Sequence, residues 1–254
     1  MKKESDFSKK FLSVEDEIRQ ASWYCSYRKE IYRKIGLRHL KNILDAGCSA
    51  GAITEELGKW GSEVIGVDLR KGAIEIAKAR TPSSKFLVCN IEDMPFCAES
   101  FDAITTAFTI MWLKNPEKFF KESYRILRKG GYLVIFAEPD YEGLIEFPPD
   151  SACREVYVKA IKKQGGDSSS GRKLCKYIFQ AGLKVIQMGV IDSVWTPERW
   201  KVEEEKEFFL LLKFISPDEG ESINQLRKER EKSIKRGEIF FFLPIFYAVA
   251  IKDK

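Results

Sequence analysis

The sequence predicts an α/β fold in which helices cover both faces of a doubly wound, largely parallel sheet. Short apolar runs that are typical of strands alternate with amphipathic stretches that are typical of helices over residues 42–139. This alternation favours a parallel sheet, because parallel neighbours need crossover connections. A turn of small residues at 47–51 follows the first apolar run and suggests a ligand site there.

The strands and helices can be placed from this pattern. Five strands are expected in the first part of the chain, at 42–47, 63–68, 85–90, 101–108 and 131–139. The helices between them are expected at 52–60, 71–80 and 116–131. A helix at 171–182, capped by Asp167 or a neighbouring serine, a strand at 183–191 and an apolar run at 239–251 follow.

Composition favours a soluble globular protein of one domain, residues 1–254. Hydrophobic residues make up 44% of the chain and charged residues 32%. The longest apolar run, 239–251, is interrupted by Pro244 and falls short of the ~20 residues that span a bilayer. The N-terminus is too polar for a signal peptide, so a cytoplasmic location is expected.

The six cysteines are scattered without a CxxC pair, so the sequence predicts neither a metal site nor a disulfide framework. The net charge of +5 is mild, since 38 acidic residues accompany 43 basic ones. Nucleic acid is therefore a permitted partner but not the favoured one. The basic segment at 227–236 alternates in sign, as solvent-exposed helices do.

Three segments fall outside the alternation. Residues 1–40 are interpreted as a helical lid, and 140–170 and 193–237 as insertions that cover a site. The side chains of Tyr24, Tyr27 and Arg28 in the first segment either face a ligand or pack against the sheet, and packing is the simpler reading.

Polar residues and glycines recur where the predicted strands end. Asp45, Asp68, Asn90, Thr109 and Glu138 all occupy such positions. Because ligands of doubly wound sheets bind beyond the carboxyl ends of the strands, these residues are expected to converge on one site.

The residues around the glycine turn separate two kinds of ligand. Asp68 is placed to accept hydrogen bonds from ribose hydroxyls, as in nicotinamide-binding domains. Asp45, however, would repel a pyrophosphate and attract an ammonium group, and Ser49 replaces the central glycine of a dinucleotide fingerprint. A nicotinamide oxidoreductase is therefore disfavoured.

The segment from Asn42 to Phe136, with ILDAGCSAG, VIGVDLRKG, CNIEDMPF and the run that follows, resembles the class I S-adenosylmethionine-dependent methyltransferases. Within that family it is most similar to the group of the ubiquinone and menaquinone pathways. The resemblance implies a Rossmann-like, seven-stranded sheet with an antiparallel C-terminal strand, and S-adenosylmethionine as cofactor. Residues 183–191 and 239–251 fit its last two strands.

The resemblance also implies roles for single residues. Asp45 and the turn would hold the methionine moiety, Asp68 and Leu69 the ribose and adenine, and Phe108 with Thr109 would lie near the sulfonium. The full set of cofactor-binding residues is Asp45, Gly47, Cys48, Ser49, Gly51, Asp68, Leu69, Asn90, Ile91, Phe108 and Thr109. Ser49 and Asn90 depart from the glycine and aspartate that the family usually has there.

The acceptor is expected to be a small organic molecule, methylated by in-line displacement without a metal. Glu138, Asp140 and Tyr141 are the candidate catalytic residues, and Asp192 and Trp195 are expected nearby. The single histidine, His39, precedes the first strand and is expected at the opposite edge. RNA or protein methylation and a non-catalytic partner subunit remain alternatives.

Overall fold

A computed structural model describes residues 13–148, 153–200, 202–203 and 220–253 of the protein. Its main sheet has seven strands in the order β3-β2-β1-β4-β5-β10-β7. The strands are β1 (Asn42–Ala46), β2 (Glu63–Asp68), β3 (Lys85–Val88), β4 (Phe101–Ala107), β5 (Leu127–Pro139), β7 (Lys184–Val190) and β10 (Ile245–Ile251). The pairings among the first five strands are parallel, and β10 runs antiparallel between β5 and β7. The predicted fold class is confirmed.

Eight α-helices are bounded within the described residues. They are α1 (Val14–Trp23), α2 (Cys25–Lys34), α3 (Ala52–Gly58), α4 (Lys71–Arg80), α5 (Pro116–Ile126), α6 (Cys153–Lys163), α7 (Leu174–Gln180) and α8 (Gly220–Arg236). None of the helices described is both long enough and apolar enough to cross a membrane.

The sheet has a separate apolar core on each face. Ile43, Val134 and Phe136 belong to one buried cluster, and Leu44 and Ile135 to the other. Neighbouring residues of a strand point to opposite faces, so strands that are apolar throughout must be covered on both sides. This arrangement brings the carboxyl ends of the parallel strands to one edge.

Helix α5 ends earlier than predicted. The expected helix 116–131 stops at Ile126, and β5 begins at Leu127, whose fully buried side chain lies opposite Phe101 of β4. Sheet pairing and burial therefore override the helical pattern of this stretch. The expected helix 171–182 is likewise shorter, with a 3₁₀ turn at Gly171–Lys173 before α7.

The C-terminal apolar run forms two strands, because Pro244 separates β9 (Phe240–Phe242) from β10. Strand β9 belongs to a second sheet that the sequence did not predict. It pairs with β6 (Ile145–Phe147) and β8 (Val194–Trp195) in the order β6-β9-β8. The two predicted insertions, 140–170 and 193–237, thus meet in one small sheet, while residues 149–152, 201 and 204–219 lie outside the described part.

The predicted lid, 1–40, consists of two unlike helices, and its first twelve residues lie outside the described part. Helix α2 is part of the core: it buries Ile31 and Tyr32, and Arg28 pairs with Glu56 at 2.7 Å. Helix α1 buries none of its residues. Its position therefore depends on contacts at its surface.

Candidate active site

A cavity of about 450 Å³ lies at the carboxyl ends of the parallel strands. Most of the predicted site residues line it: Gly47, Cys48, Ser49, Asp68, Leu69, Asn90, Ile91, Phe108, Thr109, Tyr141 and Trp195. Asp45, Gly51, Glu138 and Asp140 do not line it. The structure therefore brings together residues at or after the ends of β1, β2, β3 and β4, whereas four of the predicted residues do not contact the cavity.

The turn at 47–51, here called the glycine turn, has a backbone that explains its composition. Gly47 and Gly51 have φ values of 79° and 78°, in the left-handed region that favours glycine. A Cβ on Gly47 would lie only 2.5 Å from Oγ1 of Thr109. Gly47 therefore lets the turn pack directly against the residue that follows β4.

Asp68 lies at the centre of a network of polar contacts beside the glycine turn. Its carboxylate accepts hydrogen bonds from the amides of Ser49 and Arg70, both at 2.9 Å, and from Nε of Arg70 at 3.1 Å. Arg70 also donates to Glu17 of α1. The carboxylate is thus held in one orientation at the cavity wall.

Asp45 lies behind the glycine turn. Its carboxylate is buried and accepts a hydrogen bond from Oγ1 of Thr54 at 2.6 Å. Burial raises the pKa of Asp45 to about 7, although Thr54 and Arg28 act in the opposite direction. Its charge near neutral pH therefore depends on pH.

Glu138 is fully buried and serves the backbone. Its carboxylate accepts from the amides of Thr109 at 2.8 Å, Ile110 at 2.9 Å and Met111 at 3.3 Å. Burial raises the pKa of Glu138 to about 7, and these amides lower it. Glu138, a candidate catalytic residue in the sequence analysis, does not line the cavity; it fixes the turn after β4, whose Thr109 and Met111 line the cavity.

Asp140 is also occupied within the fold. It is buried, pairs with Arg172 and accepts from the amide of Gly143 at 3.0 Å. Of the three candidate catalytic residues, Tyr141 alone lines the cavity, where its ring stacks on Tyr157 at 5.4 Å.

One end of the cavity, here called the aromatic end, is walled by rings. These residues are Trp23, Tyr24, Phe108, Trp112, Tyr141, Tyr157, Trp195 and Phe241. Tyr24 contacts Phe108 at 6.0 Å between centroids, and Trp195 contacts Trp23 at 6.5 Å and Phe241 at 5.5 Å. The lining there also includes Leu243, Ile245, Ile161 and the amide of Gln164, and none of these described residues carries an ionised group. Arg199 lies behind the rings, 4.4 Å from the ring of Trp195, and does not line the cavity.

The ionisable groups of the lining lie at the other end, here called the cofactor end. They are Glu17, Asp68, Arg70, Glu92 and Lys114. Most of these residues follow a strand of the sheet or form a hydrogen bond with a residue that does. Lys114 is the exception: it precedes Asn115, whose amide donates a hydrogen bond to Glu92. The cavity therefore has a charged end and an apolar end.

The other predicted residues have structural roles. Arg28 pairs with Glu56 in the core, Tyr27 is largely exposed, and Asp192 pairs with Arg199 at 2.9 Å. His39 lies in the turn that leads into β1, at the opposite edge as expected. Asp167 does not cap the helix at 171, because it accepts from Ser169 and pairs with Lys173 instead.

Several lining residues were missed by the sequence analysis. Arg70 directly follows the motif of Asp68, and Trp112 follows β4, so their positions carried a weak signal. No sequence signal indicated Glu17, Tyr157 or Phe241, because these residues lie far in sequence from the ends of the predicted strands. No group of three His, Cys, Asp or Glu side chains in the described parts is arranged to hold a metal ion.

Part of the chain matches a known protein family. Residues 44–135 match the family model described as a methyltransferase domain. This part of the chain is therefore similar to a methyltransferase domain. The matched residues run from the middle of β1 into β5, so they include the glycine turn and Asp68.

Two curated relatives show how far the methyltransferase similarity extends. The demethylmenaquinone methyltransferase of Renibacterium salmoninarum is 25% identical over 157 residues, which cover 61% of this chain and 64% of that protein. The malonyl-[acyl-carrier protein] O-methyltransferase of Salmonella typhimurium is 32% identical over 98 residues, or 39% of each chain. The chain therefore spans less than two thirds of either relative.

The solved structures extend the likeness in fold. Geranyl diphosphate C-methyltransferase from Streptomyces coelicolor, solved with Mg²⁺, geranyl diphosphate and S-adenosyl-L-homocysteine, superposes with a TM-score of 0.53. It is 17% identical, and the match covers 84% of this chain and 73% of that one. At this identity the match shows a common fold.

Proposed function

We propose that the protein transfers a methyl group from S-adenosylmethionine to a small, uncharged acceptor. The observation that carries this proposal is the division of one cavity into a polar end at the glycine turn and an aromatic end. A methyl transfer between a charged nucleoside cofactor and an apolar acceptor needs these two environments side by side.

The residues of the cofactor end fit the cofactor in chemical type. The glycine turn offers close backbone approach for the methionine moiety, and Asp68 offers a fixed carboxylate for the ribose hydroxyls. Leu69 is half-exposed at the wall and Asn90 lies beside it, where an adenine ring would find an apolar face and an amide. Asp45 stands behind the turn as a carboxylate for the ammonium group, reached through water.

When bound, S-adenosylmethionine supplies a methyl group on a sulfonium with a neutral leaving group. The chain then has two tasks: to align the acceptor with that methyl group and to keep water away. The rings of Tyr24, Phe108 and Trp195 form a wall suited to both. Glu138 keeps the backbone of Thr109–Met111 in place at the junction of the two ends.

The aromatic end also limits the acceptor. Among the described residues, its lining provides tyrosine hydroxyls and the amide of Gln164, but no carboxylate or histidine as a general base. The proposed acceptor is therefore uncharged and apolar, with a nucleophilic atom that reacts without a strong base. Arg230 of the basic helix α8 is buried over Trp200 and paired with Glu146, so this arginine has a structural role and is not open to a charged substrate.

Transfer of labelled methyl groups tests the proposal. The protein is incubated with methyl-labelled S-adenosylmethionine and three sets of small aromatic compounds that are neutral, anionic or cationic, together with RNA and protein fractions. The expected result is label in neutral compounds, lost in Asp68→Ala and kept in Asp93→Ala, an exposed aspartate at the same edge. Label in RNA or protein would contradict the proposed acceptor. Binding of the cofactor without any transfer would favour a non-catalytic partner.

A further inference from the structure

We propose that Glu17 completes the cofactor end and fastens helix α1 across it, so that release of the bound nucleoside requires this contact to break. The proposal rests on the function proposed above for the identity of the nucleoside. The contact itself is a feature of the protein alone and can be tested without any ligand.

The first observation is the set of partners that Glu17 has. Its carboxylate accepts hydrogen bonds from the hydroxyl of Ser49 and from Arg70, the latter at 2.6 Å and 3.3 Å. Arg70 in turn holds the carboxylate of Asp68. One residue of α1 thus joins the glycine turn and the ribose-binding corner.

The second observation is that α1 lies at the surface of the core. It buries none of its residues, whereas the neighbouring α2 buries Ile31 and Tyr32 in the core. Its other described contacts include the packing of Trp23 against Trp195 at its last residue and an ion pair between Arg19 and Glu203. Glu17 supplies the described side-chain contact of α1 with the glycine turn, so the part of α1 around Glu17 can separate from that turn while Trp23 stays packed.

The third observation concerns Ser49 in the glycine turn. Its φ is 48°, a left-handed conformation that costs free energy in a residue with a Cβ. Glycine would remove this strain, but it would also remove the hydroxyl that donates to Glu17. The serine is thus explained by the helix that lies over it.

Helix α1 lies over the cofactor end of the cavity, so the contacts of Glu17 affect access to this end. Glu17, Ile18, Gln20 and Ala21 line the cavity that the glycine turn and Asp68 also line. A nucleoside at Asp68 therefore lies beneath α1. Parting Glu17 from Ser49 and Arg70 opens the cavity at this end, so the strength of these contacts sets the rate of release.

Two measurements test the proposal in the full chain. Hydrogen exchange of the α1 amides is followed in the ligand-free protein, and dissociation of S-adenosylhomocysteine is followed by stopped flow. The variants are Glu17→Gln, Ser49→Gly and both together. Glu15→Gln, at an exposed position on the same helix, is the matched control.

The expected result is faster exchange over residues 14–23 in Glu17→Gln and in Ser49→Gly, with dissociation of S-adenosylhomocysteine accelerated about 10-fold, since charge-assisted hydrogen bonds are lost. The double variant should resemble Glu17→Gln, because Ser49→Gly removes a contact that Glu17→Gln has already weakened. Glu15→Gln should behave as the wild type.

Exchange in Glu17→Gln that matches Glu15→Gln would overturn the proposal, and so would faster exchange without faster dissociation. If S-adenosylhomocysteine fails to bind the wild type at all, the proposed function fails. The exchange data then still decide whether Glu17 fastens α1.

Discussion

The two ends of the cavity are built in different ways. The cofactor end is assembled by turns that follow consecutive strands of one sheet, from the glycine turn to Thr109. The aromatic end takes its rings from α1, the turn after β4, α6, β8 and β9, so that Trp23 and Phe241 face one space. The sheet thus determines the geometry of the cofactor end, whereas the packing of segments that are distant in sequence determines the geometry of the aromatic end.

This difference predicts that the two ends can be damaged separately. A change at the aromatic end should affect folding and acceptor use while leaving the cofactor in place. A change at the glycine turn should instead abolish binding of the cofactor. The following variants test the separation in order of expected effect.

Trp195→Ala is expected to have the largest effect on stability. The side chain is buried and contacts Trp23, Trp200 and Phe241, so its removal leaves a large cavity. The free energy of unfolding should fall by about 3–5 kcal/mol. Denaturant titration measures this loss, and calorimetry at low temperature should find the affinity for S-adenosylhomocysteine within about 3-fold of the wild type. Val194→Ala, at a half-exposed neighbour, is the control and should change little.

Gly47→Ala is expected to abolish cofactor binding. The new Cβ would meet the side chain of Thr109 and would force a left-handed backbone, at a cost of about 2–4 kcal/mol in unfolding free energy. Gly61→Ala separates the steric clash from the backbone strain. Gly61 has a φ of 88°, but a Cβ at this position would have no atom within 4 Å. Equal loss of cofactor affinity in both variants would contradict the close approach at Gly47.

Glu138→Gln tests the junction between the two ends. In the wild type, backbone amides donate hydrogen bonds to the carboxylate of Glu138. The side-chain NH₂ of glutamine cannot accept these bonds, so the substitution should lower the unfolding free energy by about 1–3 kcal/mol. The maximal turnover rate should fall by about 10-fold, because Thr109 and Met111 lose their support. Retention of full turnover would contradict the positioning role of Glu138.

The pH dependence of stability gives a second readout for Glu138. Its pKa is about 7 in the folded protein and about 4 when unfolded, so the folded state holds a proton that the unfolded chain releases between these values. Its contribution to stability is therefore complete below pH 4 and is lost as pH rises through 7. Denaturant titrations at pH 5 and pH 8 should show a smaller drop in unfolding free energy for Glu138→Gln than for the wild type. An identical drop would contradict the raised pKa.

Much of the cofactor end could be predicted from the sequence. Asp68 and Thr109 follow strands, and strand ends of a parallel sheet meet at one edge, so local patterns sufficed for most of the cofactor end. Glu138 also lies at the end of a strand and was expected at the site, but it does not line the cavity. Its contacts with three amides could not be predicted, because they depend on how the turn after β4 packs.

The aromatic end offered no such rule. Trp195 was expected near the site, but Phe241 belongs to a sheet of three short strands from distant parts of the chain. Such pairings depend on long-range contacts that no local pattern encodes. The same holds for Glu17, whose role depends on where α1 comes to lie.

The smallest effect is expected from Lys228→Gln and Lys232→Gln on the exposed face of α8. Surface charges of this kind contribute within about 0.5 kcal/mol to stability, and neither residue lines the cavity. Turnover should therefore equal that of the wild type. A large loss of activity in either variant would point to a charged substrate bound along this helix.

Calorimetric titration of the wild type and of Asp68→Ala with S-adenosylmethionine, and separately with NAD, tests which cofactor the cofactor end binds. We expect one site of about micromolar affinity for S-adenosylmethionine, much weakened by the substitution, and no binding of NAD. Binding of NAD in its place, or binding of S-adenosylmethionine that does not depend on Asp68, would contradict the assignment of the cofactor end.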